Sequence, residues 1–320
     1  MICKKHPNVQ IIMKLFAFAM LSLVPSVTVC SVFSKEVDIY SGTYGNDDVE
    51  AFQPEEVTYH LAGRDGVFYE GAFTFDNYNP DKGGAGNRQG VFSGYSTHFS
   101  STEGTSLGFH CTGLNPGKNS SASKSFIFVM GPWESGEEFV APQVTFQDLG
   151  DLSFIADNMD MIGITDGATA GTGGGRYGKA DIVSFNNVGN IEFRGLNHGG
   201  IGFSRLNSLA FTNTGDISFT DMKMGYSSNG GAIFINQGGD SSLYSNPGDG
   251  NISFDHTGSI IFRNLVKTSY YMSSAGIFTN EGSISFNDTE NILFENNTST
   301  GGPAAIGIGS IFLPDNQPSL

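Results

Sequence analysis

Apolar positions in the second half of the chain recur in a fixed frame: Phe, three residues, Gly in all but the last copy, one residue, Ile or Leu, one residue, Phe. The copies are Phe146-Gln-Asp-Leu-Gly150-Asp-Leu152-Ser-Phe154, Phe185-Asn-Asn-Val-Gly189-Asn-Ile191-Glu-Phe193 and Phe211-Thr-Asn-Thr-Gly215-Asp-Ile217-Ser-Phe219. Two more follow, Phe254-Asp-His-Thr-Gly258-Ser-Ile260-Ile-Phe262 and Phe286-Asn-Asp-Thr-Glu290-Asn-Ile292-Leu-Phe294. In each copy the Ile or Leu stands two positions before the second Phe, the period that sends both side chains to one face of a strand. Gly beside Asn, Asp or Ser supplies the tight turn, since glycine takes a positive φ without a Cβ clash. Each copy therefore reads as strand, turn, strand. Helical periodicity is not visible along this stretch.

One unit of this kind cannot cover its own apolar face. Burying a Phe or Ile is worth roughly 1.5–3 kcal/mol, and stacked copies gain it by covering one another. The first Phe of successive copies lie 39, 26, 43 and 32 residues apart, within the range of solenoid repeats. The expected fold is all-β: a right-handed parallel β-helix (solenoid) over residues 136–320, with a β-sandwich of stacked hairpins as the alternative. Residues 35–135 read as a separate, acidic, β-rich region with strand-like stretches at Val57–Leu61 and Val67–Phe75. Such a piece is expected to cap the solenoid's N-terminal end. Between the Phe frames a second motif recurs, Gly230-Gly231-Ala232-Ile233-Phe234, echoed by Ser274-Ala275-Gly276-Ile277-Phe278, Gly199-Gly200-Ile201-Gly202-Phe203 and Gly301-Gly302-Pro303-Ala304-Ala305-Ile306. Small residues there suit a chain re-entering a crowded stack.

Composition narrows the classes. The 320 residues carry 16 Lys plus Arg against 32 Asp plus Glu, a formal charge of −16. A chain this acidic repels phosphate backbones, so no nucleic-acid partner is expected. Charged residues at 15% argue against long solvated helices, and aromatics at 12% against disorder. Lys4, Lys5 and Lys14 precede the apolar run Leu15–Val24, which Pro25-Ser26 ends. That is the pattern of a secretory signal peptide, expected over 1–34, with an apolar run too short to span a bilayer. Cleavage after Cys30 or after Ser34 would both fit. With Cys111 and at most Cys30 left, no disulfide framework is available.

Gly230-Gly231-Ala232-Ile233 and Phe294-Glu295-Asn296-Asn297 match GGA(I/L/V) and FxxN, the paired tetrapeptides of the chlamydial polymorphic membrane proteins. The chain resembles that family in motif over about 140–310 and in general character throughout. The resemblance implies a surface-exposed autotransporter passenger, an adhesin with a role in virulence that binds a host-cell surface receptor and is associated with the cell outer membrane. It also implies no enzymatic activity and no cofactor or metal. Its motif residues are Gly230, Gly231, Ala232, Ile233, Phe294 and Asn297. Ending at Leu320, the sequence lacks the alternating strands and terminal aromatic of an outer-membrane barrel, so it is expected to be a passenger fragment, a truncated paralogue or a frame-shifted member. Two other functions stay open: a secreted polysaccharide lyase or hydrolase on a β-helix, and a self-associating envelope protein.

Residues with chemical potential have simpler explanations. Gly173-Gly-Gly-Arg-Tyr-Gly178-Lys179 has nucleotide-loop spacing, but Ala180 replaces the magnesium-binding Ser or Thr and a strand, not a helix, follows. Asp157, Asp160 and Asp166 form an acidic group of the type that flanks a glycosidic bond, with few cations nearby to stabilise developing charge; solvated turn positions explain them. His60, His98, His110, His198 and His256 show no metal-ligand spacing, and Cys111 beside His110 points to the opposite strand face.

Overall fold

The structure, a computed structural model, describes residues 35–45, 48, 53–73, 89–114, 124–129, 142–166, 180–203, 206–224, 231–235, 249–268, 274–279 and 281–308. The expected leader at 1–34, the glycine loop 173–179 and Gly230 lie outside them. Among the described residues the regular elements are strands, with no α-helix, and the strand pairings are parallel. Stacked hairpins would need antiparallel neighbours, and none occurs among these pairs.

Three long ladders organise the chain. The first links residues 57–61 and 97–101 to Gln143–Leu149, Ala180–Val188, Leu206–Thr214, Asn251–Thr257 and Ile284–Thr289. The second links residues 67–73 to Leu107–Leu114, Leu152–Met159, Ile191–Leu196, Ile217–Thr220, Ile260–Arg263 and Ile292–Glu295. The third links residues 89–94 to Lys124–Val129, Met161–Thr165, Gly199–Phe203, Ile233–Ile235, Ile277–Thr279 and Ile306–Ile308. A short sheet of Lys223–Met224, Val266–Lys267 and Thr298–Ser299 accompanies them. Each repeat thus gives one strand to each long ladder and forms one layer.

Register follows chemistry. Phe146, Phe185, Phe211, Phe254 and Phe286 are Cα partners in turn, as are Phe154, Phe193, Phe219, Phe262 and Phe294. Their rings form two columns with centroids 4.6–5.2 Å apart and nearly parallel planes. That distance matches the spacing of neighbouring strands, about 4.8 Å, so one rotamer repeated in every layer suffices. A stacked pair is worth about 0.5–1.5 kcal/mol beyond its burial. Rings of the first four layers of the frame are fully buried; Phe286 and Phe294, in the last described layer, are partly buried. A one-residue slip would turn every ring to solvent, so the columns fix the register.

Pairing continues across residue 135. Thr97 pairs with Val144, Leu107 with Leu152 and Ser125 with Ile162. The columns extend upstream as well: Tyr59 stacks on Phe99 and Phe99 on Phe146, while Tyr44, Tyr69, Phe109 and Phe154 stack in series.

Candidate binding surface

The turns between the first and second ladders show how the outer surface is built. Two residues after the first Phe of each frame, the chain enters the left-handed region at Asp148, Asn187, Asn213, His256 and Asp288, with φ between 47° and 57°. Asn and Asp tolerate that conformation better than other non-glycine residues, which accounts for the residue types chosen there. Three positions later in the chain direction a cap appears: Asp151 Oδ1 accepts from the Asn190 amide (2.8 Å), Asn190 Oδ1 from the Asp216 amide (3.0 Å) and Asp216 Oδ1 from the Ser259 amide (2.8 Å). Ser106 Oγ begins the series by accepting from the Asp151 amide (3.0 Å). Each side chain thus satisfies a backbone donor of the next layer. The preceding glycine makes room for it: a Cβ on Gly189 would lie 2.7 Å from Asp151 Oδ1, and one on Gly215 2.6 Å from Asn190 Oδ1.

Outward side chains form polar ladders between layers. Asn186 Nδ2 donates to Gln147 Oε1 (2.9 Å) and Asn187 Nδ2 to Asp148 Oδ1 (2.7 Å). Asn287 Nδ2 donates to Asp255, and His256 lies 3.0 Å from Asp255 and 3.1 Å from Asp288. The bonds from Asn187 and Gln147 hold the Asp148 carboxyl below the usual carboxylate range. Along this corner the turn changes width. The 101–106 turn is wide and is tied by the Ser101 hydroxyl, which accepts from the Glu103 (3.1 Å) and Thr105 (3.0 Å) amides. The next turns are narrow, and at the step a groove of about 590 Å³ opens, lined by Ser101, Thr102, Gly104, Asp148, Asn187 and Gly189 among others.

Of the described motif residues, Gly231 and Ala232 lead into the strand Ile233–Ile235, Phe294 lies in the strand Ile292–Glu295 and Asn297 follows that strand. Gly231, Ala232 and Ile233 are buried, and Ile233 is in register with Ile201 and Ile277, so the echoes of the motif stack on one another. A Cβ on Gly231 would meet the Ser274 carbonyl at 2.5 Å. Asn297 bridges two layers, accepting from the Leu265 amide and donating to the Phe262 carbonyl, both at 2.9 Å. Asn197 reaches both neighbouring layers, accepting from the Lys223 amide of the next (3.1 Å) and donating to the Asn158 carbonyl of the one before (2.7 Å), although its spacing from Phe193 is one residue longer.

The acidic trio is parted among different neighbours. Asp157 lies 3.6 Å from His110 and Asp160 3.7 Å from His198, both carboxylates being exposed, whereas Asp166 is buried. His98 and His198 are more enclosed than surface residues: burial pushes both below the ordinary histidine value, against the opposing pull of Glu56 and Asp160 respectively. Burial also pushes the Lys267 amine down to about 8. Cys111 is buried, with its Sγ 3.8 Å from Met159 Sδ. No group of three or more His, Cys, Asp or Glu suited to a metal ion occurs among the described residues.

Sequence reasoning gave the positive φ of these turns to the frame glycine, whereas the left-handed residue is the Asp, Asn or His two positions before it, and it missed the cap series. The signal was present, since Asp, Asn, Asn, His and Asp occupy one frame position in successive copies. It also missed Tyr59, Tyr69, Phe99 and Phe109 as column members. Compared with protein-family models, with curated proteins and with solved structures, the chain has no match.

Proposed function

We propose that the chain is a right-handed parallel β-helix acting as a non-enzymatic, adhesin-type surface protein of the polymorphic-membrane-protein kind. In this reading it is exported by its leader, associated with the outer membrane on the extracellular side, and presents its first-corner polar ladder to a host-cell receptor. One observation carries the reading: a continuous buried spine holds Asp148, Asn187, Asn213, His256 and Asp288 at one position of successive layers. Side chains repeated in this way form a preorganised surface, which lowers the entropic cost of engaging an extended partner. Gly231, Ala232, Ile233, Phe294 and Asn297 support it as packing and bridging residues of the scaffold rather than as contact groups. Saturable binding of the purified chain to epithelial cells, competed by unlabelled chain, is the expected result. Binding that rises linearly with concentration and resists competition would remove the adhesin reading.

A further inference from the structure

We infer that the groove at the change of turn width, beside Asp148 and Asn187, is a subsite for a neutral, hydroxyl-rich sugar ring. The inference rests on the adhesin reading and gives it a ligand class. A ring bearing adjacent hydroxyls needs a fixed acceptor and a fixed donor side by side. Asp148 and Asn187 supply them: they sit in successive layers, both held at positive φ, and are joined through Asn187 Nδ2 and Asp148 Oδ1 at 2.7 Å. Gln147 Nε2 fixes the other oxygen, Asp148 Oδ2, at 2.9 Å. A carboxylate offers about four lone-pair directions, so both oxygens keep acceptor capacity after these bonds. Ser101, Thr102 and Gly104 complete the polar lining, while Leu149 and Val188 beneath it are buried in the core.

Charge selects among sugars. The carboxylate stays ionised because its neighbours stabilise that form, and the whole chain is at −16, so sialylated and sulfated glycans are repelled. A neutral ring that donates to Asp148 and accepts from Asn187 meets no such barrier. The groove lies where the 101–106 turn meets the narrower turns at 148–150 and 187–189.

The test presents the full chain to an array of oligomannose, galactose-terminated and N-acetylglucosamine-terminated glycans alongside sialylated and sulfated versions. Two variants keep the left-handed backbone: Asp148→Asn keeps the side-chain shape, and Asn187→Gly needs no Cβ. Neutral glycans are expected to bind in preference to anionic ones. Each variant is expected to weaken that binding about tenfold, the worth of one hydrogen bond involving a charged group. Arg263→Gln, in the second ladder, is expected to leave it unchanged, and all three variants are expected to keep the parent's thermal midpoint. Absence of neutral-glycan binding, equal binding of anionic glycans, or indifference to both groove variants would overturn the inference. Cell binding that survives in the groove variants would overturn it while leaving the adhesin reading intact. Groove-dependent glycan binding by a chain that ignores cells would do the reverse.

Discussion

Layers built from residues 35–129 and layers built from residues 143–308 bury their aromatic columns by different means. In the former the columns hold Tyr44, Tyr59, Tyr69, Phe99 and Phe109, and Phe92 stands edge-on against Tyr59, Tyr69, Phe99 and Phe109 at interplanar angles of 67–87°. In the latter every column residue is Phe, and the third-ladder position of Phe92, already Ile at Ile127, is held by Ile164, Ile201, Ile233, Ile277 and Ile306. The turns differ in the same sense, wide and tied by hydroxyls at 101–106, narrow and closed by glycine plus an Asp or Asn cap thereafter. The comparison teaches that ring columns tolerate different turns as long as the inward strands stay in register. Turn width is then free to shape the outer surface, and the groove sits where it changes.

Placing a charge inside a C-terminal layer is the most disruptive way to break the comparison. Ile217 has no exposed surface, and Ile217→Asp is expected to cost more than about 4 kcal/mol. Hydrogen exchange should show protection lost around 191–263 and retained around 57–111, because the strand Ile217–Thr220 pairs with residues 191–194 and 260–263 of the neighbouring layers. Phe92→Ala is expected to cost about 3–5 kcal/mol in denaturant unfolding, against about 0.5–1.5 kcal/mol for Ile164→Val at the same ladder position. That contrast checks whether the single edge-on ring unites the N-terminal columns.

Smaller changes sharpen the difference between turns. Gly189→Ala is expected to cost about 1–3 kcal/mol through overpacking against the Asp151 side chain and the Gly150 backbone. In the wide turn, Gly104 has φ +67° and a Cβ added there would meet nothing within 4 Å, so Gly104→Asn should cost only the backbone strain of a left-handed Asn, about 1 kcal/mol or less. Asp216→Ala removes the acceptor for the Ser259 amide and is expected to cost about 1 kcal/mol, as loss of a cap does; Asp216→Ser should cost less, since Ser106 serves as acceptor in the same series. Thermal midpoints measure all of these.

Acid adds the last test. His98 and His198 have folded-state values below the ordinary 6.5, so the unfolded chain binds more protons in that window. Their contribution is fully present above 6.5 and is lost as pH falls through it toward the folded values. His98→Gln is expected to flatten the pH dependence of stability below 6.5 relative to the parent. Lys267 acts with the same sign at higher pH, its contribution being lost as pH falls from 10.5 through about 8.

The all-β class and parallel stacking partners were legible wherever the Phe frame kept its spacing of eight, as from Phe146 to Phe154. In residues 35–129 strands such as that at 57–61 were legible but their stacking partners were not, because Tyr59 to Tyr69 and Phe99 to Phe109 are ten apart, with Tyr replacing Phe and a wider turn between the strands. A frame defined by one turn length misses layers that change the turn and keep the strands. The groove was illegible for a related reason: it comes from the mismatch between two turn types in adjacent layers, which no single copy contains. The role of Asp216 was hidden because an acceptor for the next layer's amide looks, in sequence, like any turn aspartate.

Because the upper and lower surfaces of a layer carry the same ring, ring, isoleucine and cap pattern, whole units are interchangeable at their seams. Excising 211–253 would bring Phe185 against Phe254 and offer the Asn190 carboxamide to the Ser259 amide. Unequal recombination between such units would lengthen or shorten the molecule by one storey at a time without creating a junction that fails to fit. Size is therefore open to drift here, while the contents of each storey are held fast.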